Sequence, residues 1–478
     1  MSFFLLLPLI PTLSSTIFKH YTEGPPKKSW DLKFHLAVTL LKNNTRFSTV
    51  PIEQLRKGSV NFIIKVPPNI TVKEVILDEE YRRKSMTYLE KALKQCEDVL
   101  DDKWKEPNDG GLRGEWINET NCEPDNVVLY LHGGAFRFGS FKIARRFTFK
   151  LAESANSRVF ALDYRLSPEN QFPAALCDSI AAYLYLINPG PEAGFEPINP
   201  KKIVLSGESA GATLVFAMLL FLRDAGLPLP GGSIALVDLT QSMPSAWSAE
   251  IDKIDYIPSK LGLFDLGPSS PIVEEYLADA KALVDKIALK KPTIVSHPSF
   301  TEVPRFHPYC ANEALAIPYV RQSYACGVLR EFTTYSMLGD EKFRDETILI
   351  SYKAASPHEY QLPSYATKNF EKSPFKNPTK VILEVYDDMP HAWHMLSFSK
   401  PSKTAFERCG DFIKRVTSIE DNNTSIIDLV KEDVLSPSIS VSPSFIAMRI
   451  NKNGEIRELN ETDRDCLKWD KIGVVPKE

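Results

Sequence analysis

The sequence predicts an α/β protein built on a mainly parallel central sheet with helices on both faces, and three observations carry that prediction. Short apolar runs alternate with helical stretches through the middle of the chain. Residues able to do chemistry follow directly after those runs, at the carboxyl ends of strands, where parallel sheets gather ligands. The 478 residues are 43% hydrophobic and 25% charged, the balance of a globular chain with a large core.

The N-terminus, "MSFFLLLPLIPTLSSTIFKHY", is apolar from Phe3 to Phe18, lacks an early Lys or Arg and is broken by Pro8 and Pro11. It is short for a membrane span, which needs about 20 residues. Three readings stand: a signal-anchor or interfacial anchor, a cleaved signal peptide ending near Ser14 and Ser15, or a buried apolar arm. Sequons at Asn43, Asn69, Asn118, Asn422, Asn423 and Asn460 suit a lumenal or secreted domain, whereas Lys19, Lys27 and Lys28 argue the other way under the positive-inside rule. The expectation is membrane association through residues 3–18 and residence in the endoplasmic reticulum membrane or secretory pathway. Helical spacing then aligns Trp30, Phe34, Ala37 and Leu41, and further on Met86, Leu89, Leu93, Cys96 and Leu100. Residues 21–115 are accordingly read as N-terminal cap helices.

Five apolar runs mark strands: Val127 to Leu131, Arg158 to Tyr164, Lys202 to Ser206, Phe332 to Leu338 and Lys380 to Tyr386. After the first comes "HGGAF" (132–136) and after the third "GESAG" (207–211); "GDEKFRDE" (339–346) and "DDMPHAWH" (387–394) follow the fourth and fifth. A serine hydroxyl attacks only when a base takes its proton, and that base needs a carboxylate to hold its tautomer and stabilise the imidazolium. Hydroxyl, carboxylate and imidazole occur here in that chain order, the order of α/β-hydrolases. Ser209 between Gly207 and Gly211 has the form of a nucleophile elbow, a strained strand-to-helix turn with small neighbours. The amides of Gly133, Gly134 and Ala210 are the candidate oxyanion donors, and His132 is read as shaping its loop. Asp340 and Glu341 are adjacent and point opposite ways, so one of them serves the histidine.

Other chemistries find little in the chain. The net charge is −4, and no basic stripe interleaved with aromatics marks a nucleic-acid surface. Lys281, Lys286 and Lys290 have the spacing of a solvated helix face. The seven cysteines form no CxxC pair, and the eight histidines no HExxH, so neither a metal nor an organic cofactor is expected.

The motifs "HGGAF", "DYRLSPENQFPAAL" (163–176), "GESAG", "GDEKFRDE" and "DDMPHAWH" resemble the hormone-sensitive-lipase-like branch of α/β-hydrolases over roughly residues 127–410. The closing segments and apolar N-terminus look more narrowly like fungal members, a group that includes steryl acetyl hydrolases anchored in the endoplasmic reticulum. Two positions depart from the pattern: Ala135 where a third glycine is common, and Glu208 where aspartate is common. Neither removes a backbone donor or a triad side chain. Alignment on "RDE" (344–346) puts the acid on Glu341, with Asp340 the alternative, and the histidine motif falls on His391 rather than His394. The resemblance implies an α/β-hydrolase domain at 116–416, a helical cap with an insertion around 248–306, and a tail at 417–478 whose apolar patch, Ile439 to Ile450, packs back on the body. It also implies hydrolysis of a lipid-like or small acyl or acetyl ester, such as a steryl acetate, through an acyl-enzyme. A catalytically silent binder on the same fold, as in the plant gibberellin receptor, is the alternative, and amide cleavage would use the same groups.

Overall fold

The computed structural model describes residues 9–46, 53, 56, 64–93, 102–106, 110–167, 169–238, 333–341, 344–356, 379–418 and 445–459. The expected cap insertion at 248–306, the lysines at 281, 286 and 290, and the sequons at 422, 423 and 460 lie outside those residues.

Ten strands join one sheet among the described residues. They are β1 (Ile70–Leu77), β2 (Leu112–Glu119), β3 (Glu123–Leu131), β4 (Ser157–Asp163), β5 (Ile203–Ser209), β6 (Gly232–Asp238), β7 (Thr333–Gly339), β8 (Lys380–Tyr386), β9 (Phe445–Ile450) and β10 (Ile456–Glu458). Their spatial order is β1-β2-β4-β3-β5-β6-β7-β8-β9-β10. The strands from β4 across to β9 run parallel, while β1, β2 and β10 are antiparallel additions at the edges.

The described helices are α1 (Ile10–Thr22), α2 (Leu32–Arg46), α3 (Glu79–Leu93), α4 (Phe141–Ala155), α5 (Ala174–Ile187), α6 (Ala210–Asp224), α7 (Arg344–Ala355) and α8 (Lys400–Ser418). One apolar cluster gathers residues of α3, α5, α6 and α7 on one face of the sheet. A second gathers Trp30, Phe34 and Val38 with α4 and α8 on the other. Burial on both faces explains why the central strands read as continuous apolar runs rather than alternating ones.

Two expectations about extent are corrected. Residues 21–115 are not all cap helix, because β1 and β2 extend the sheet there. Nor is 417–478 only a tail, since β9 pairs in parallel with β8 from Val381 opposite Phe445 to Tyr386 opposite Ile450. The stripe of α2 is also rotated slightly: Trp30, Phe34 and Val38 are buried, with Ala37 and Leu41 half-buried.

Candidate active site

Strand register brings the loops together. Leu131 of β3 lies opposite Gly207 of β5, so His132 and Gly133 emerge beside Glu208 and Ser209. On the other flank Gly339 of β7 lies opposite Tyr386 of β8, which sets the Asp340–Glu341 turn beside the loop that carries His391.

Ser209 ends β5 and precedes the first residue of α6 with φ 52° and ψ −121°. A non-glycine residue held at positive φ is strained, and the turn needs room on both sides. A Cβ on Gly211 would stand 2.0 Å from the Leu131 carbonyl oxygen, and one on Gly207 would stand 2.4 Å from the Gly211 carbonyl. Both glycines are therefore obligatory for the turn to press against β3.

Ser209 Oγ lies 3.1 Å from His391 Nε2, and His391 Nδ1 lies 2.7 Å from Glu341 Oε2. A carboxylate only accepts, so Nδ1 carries the proton and Nε2 is left to accept from the hydroxyl. The three side chains are nearly removed from solvent, with relative exposures of 8% for Ser209, 5% for His391 and 0% for Glu341.

Asp340, the alternative acid, faces away. Its carboxylate accepts from Arg449 Nη2 at 2.7 and 2.8 Å and from the Asp388 amide at 2.9 Å, and pairs with Arg344 at 3.2 Å. Burial alone would raise its pKa; the Arg449 and Arg344 guanidinium groups overcome that and hold it below the usual carboxylate range. Arg449 also donates from Nε to Asp387 at 2.6 Å, so one guanidinium braces the acid turn and the histidine loop together. Sequence reasoning missed this brace, although a single arginine inside the apolar run "FIAMRI" signals a buried partner.

The loop after β3 is held by its own chemistry. His132 stacks on Tyr164 with ring centroids 4.2 Å apart, its Nδ1–H donates to the Gly133 carbonyl at 2.8 Å, and the Tyr164 hydroxyl donates to the His132 carbonyl at 2.6 Å. Desolvation pushes the His132 imidazole down to about 4, so it stays neutral near pH 7. Gly134, Ala135 and Phe136 all have positive φ, which turns successive backbone groups of this loop into an unusual curve. A Cβ on Gly133 would lie 3.2 Å from the Ser209 Cβ, so the loop reaches the nucleophile directly. Gly133 also packs against Glu208: a Cβ there would stand 2.9 Å from the Glu208 carbonyl oxygen and 3.0 Å from its Cγ. Ala210 opens α6, whose first-turn amides have no intrahelical partner.

His394 occupies a short 3-10 turn, Trp393–Met395, and is buried. It is not near Glu341 in the contacts it makes; its Nε2 lies 2.7 Å from Glu208 Oε2. From the N-terminal side, the Trp30 indole donates to the Asp388 carbonyl at 2.8 Å and Lys27 pairs with the Asp388 carboxylate at 3.5 Å. The loop carrying His391 is thus held by Arg449 from one direction and by the start of α2 from another.

The chain is similar to known proteins over part of its length. Residues 128–258 match a family model described as alpha/beta hydrolase fold. An acetyl-hydrolase of Streptomyces hygroscopicus is 39% identical over 127 residues, which make up 27% of this chain and 40% of that protein. An esterase of Acinetobacter venetianus is 33% identical over 138 residues, 28% of this chain and 43% of that protein. The chain thus spans less than half the length of these curated relatives. Among solved structures, an esterase/lipase from an uncultured bacterium is similar with a TM-score of 0.48 at 22% identity, covering 80% of this chain and 99% of that one. An esterase from the bacterial hormone-sensitive lipase family is similar with a TM-score of 0.46 at 22% identity, covering 80% and 96%. The family match includes the Gly133 loop and Ser209, and stops before Glu341 and His391.

Proposed function

We propose that this chain, an α/β-hydrolase by fold, is a serine carboxylic-ester hydrolase that works through an acyl-enzyme. The observation that carries the reading is the hydrogen-bonded series Ser209 Oγ, His391 Nε2, His391 Nδ1 and Glu341 Oε2 at 3.1 and 2.7 Å. Ser209 attacks the ester carbonyl while His391 takes its proton; His391 then protonates the departing alkoxide, and in the second half activates water against the acyl-enzyme. Glu341 fixes the imidazole tautomer and stabilises the imidazolium. The Gly133, Gly134 and Ala210 amides hold the oxyanion. Each group the reaction needs is a side chain or amide of this chain, and the mechanism calls on no metal or organic cofactor.

A small acyl group is favoured by the similarity to an acetyl-hydrolase and an esterase. A lipid-like alcohol such as a sterol is favoured by the N-terminal helix. No helix among the described residues is long and apolar enough to cross a membrane. Instead, α1 turns Ile10, Ile17, Phe18 and Tyr21 outward on one side and buries Thr16 on the other. That arrangement suits a helix lying in a lipid interface, and with it the membrane association expected of residues 3–18, with the domain at the endoplasmic reticulum membrane or in the secretory pathway.

Purified full-length protein is tested against p-nitrophenyl acetate, cholesteryl acetate and an acetyl arylamide. Ser209→Ala lowers ester turnover by at least about a thousandfold without altering the melting temperature; turnover retained in that variant removes Ser209 from the nucleophile role. Tight binding of an ester without turnover by the wild type would instead identify a silent binder. A faster arylamide than ester reaction would assign an amidase.

A further inference from the structure

The mechanism above leaves unused an acid–imidazole pair in which the imidazole is buried and the acid largely so. Glu208 immediately precedes the nucleophile, and its Oε2 lies 2.7 Å from Nε2 of His394. His394 is itself fixed: its ring meets Phe147 edge-on at 5.1 Å, and the Ser402 hydroxyl donates to its carbonyl at 2.7 Å. Burial alone would raise the Glu208 pKa. The His394 imidazole, the nearby Tyr130 hydroxyl and the Gly133 amide outweigh that and hold it below the usual range, so it is a carboxylate at neutral pH.

Burying a carboxylate beside an imidazole is an expensive way to fill space, since an apolar pair of similar volume is often as stabilising or more so. What the pair touches accounts for its presence. A Cβ on Gly133 would stand 2.9 Å from the Glu208 carbonyl oxygen and 3.0 Å from its Cγ, so the oxyanion loop rests on this residue. His394 lies three positions after His391 in the same loop. Glu208 therefore makes contact, from the residue before Ser209, with the oxyanion loop on one side and the histidine loop on the other.

We propose that Glu208 and His394 are positioning residues that hold the Gly133 loop and the His391 loop at fixed distances from Ser209. This rests on the hydrolase reading, and it acts on geometry that matters only as charge develops: a misplacement of about 1 Å at such a site can cost about a hundredfold in rate. Its loss should therefore appear in kcat and spare KM.

The test uses the full chain with Glu208→Gln, Glu208→Asp and His394→Gln. Glu208→Gln and His394→Gln are expected to lower kcat for p-nitrophenyl acetate by about ten- to a hundredfold with KM within about threefold. Inhibition by an aryl trifluoromethyl ketone, whose serine adduct carries the oxyanion, should weaken by the same factor. Glu208→Asp keeps the charge and restores most of kcat. Amide hydrogen exchange across residues 132–139 and 387–396 should accelerate in both Gln variants. If Glu208→Gln does not fold, His394→Gln reports alone, because it leaves the carboxylate in place. A kcat within about twofold of wild type, or a loss confined to KM, overturns the proposal; so does unchanged exchange in both segments. Should the wild type hydrolyse no ester, the hydrolase reading fails by itself, while the exchange measurement still decides whether this pair holds the two loops.

Discussion

The helix behind Ser209 and the helix at the N-terminus both carry large apolar side chains and use them in opposite ways. In α6, thirteen of the fifteen residues are buried, among them Leu214, Phe216, Met218 and Phe221. In α1 only Thr16 is buried, while Phe18 is 67% and Tyr21 74% exposed. Apolar spacing specifies that a helix has a greasy side; it does not specify whether protein or lipid covers that side. The inner helix carries the fold and the elbow. The outer one leaves its apolar stripe exposed among the described residues.

Four variants test this contrast, in descending order of expected effect. Met218→Ala in α6 should cost about 2–5 kcal/mol, read as a lower urea midpoint, because it opens a cavity in a close-packed face. The paired change Ile17→Ser and Phe18→Ser should leave that midpoint within about 0.5 kcal/mol of wild type, as exposed changes do. It should nevertheless reduce partitioning onto phosphatidylcholine vesicles containing anionic lipid by at least about tenfold. A stability loss comparable to Met218→Ala would mean that α1 packs inward and would break the contrast.

Trp30→Phe probes where the two regions meet. It keeps the ring between Phe34 and the histidine loop and deletes only the indole donor to the Asp388 carbonyl, so a cost of about 1 kcal/mol and a modest fall in kcat are expected. Asp163, at the end of β4, lies between the extremes of burial. Desolvation pushes its carboxyl up to about 6, so the folded state binds its proton more tightly than the unfolded chain does. Its contribution therefore favours folding below about pH 4 and is lost as pH rises through 6. Asp163→Asn cannot ionise, and should gain on the order of 1 kcal/mol relative to wild type between pH 4 and 7, measured by denaturant titration at each pH.

Most of the catalytic rim was legible because it is local. The run Lys380 to Tyr386 coincides with β8, and the elbow announces itself through glycines that no other residue could replace. The choice between Asp340 and Glu341 was not local: strand alternation says only that they diverge, and the group that occupies Asp340 is 109 residues away, at Arg449. The N-terminal strands were hidden for a different reason. In β2, "LRGEWINE", Glu115 is fully buried and receives the Arg145 Nε at 3.0 Å, so a buried charge interrupts the apolar pattern that marks a strand. Glu208 and His394 were visible as residues, but their pairing joins positions 186 apart and leaves no trace in spacing.

Arg449 also bears on the order in which the proposed site is completed. During synthesis the serine leaves the ribosome 182 residues ahead of the imidazole. The guanidinium that ties Asp340 to Asp387 follows later still. On the proposed mechanism, a nascent or truncated polypeptide carries the serine hydroxyl without a secured base until the last strands follow.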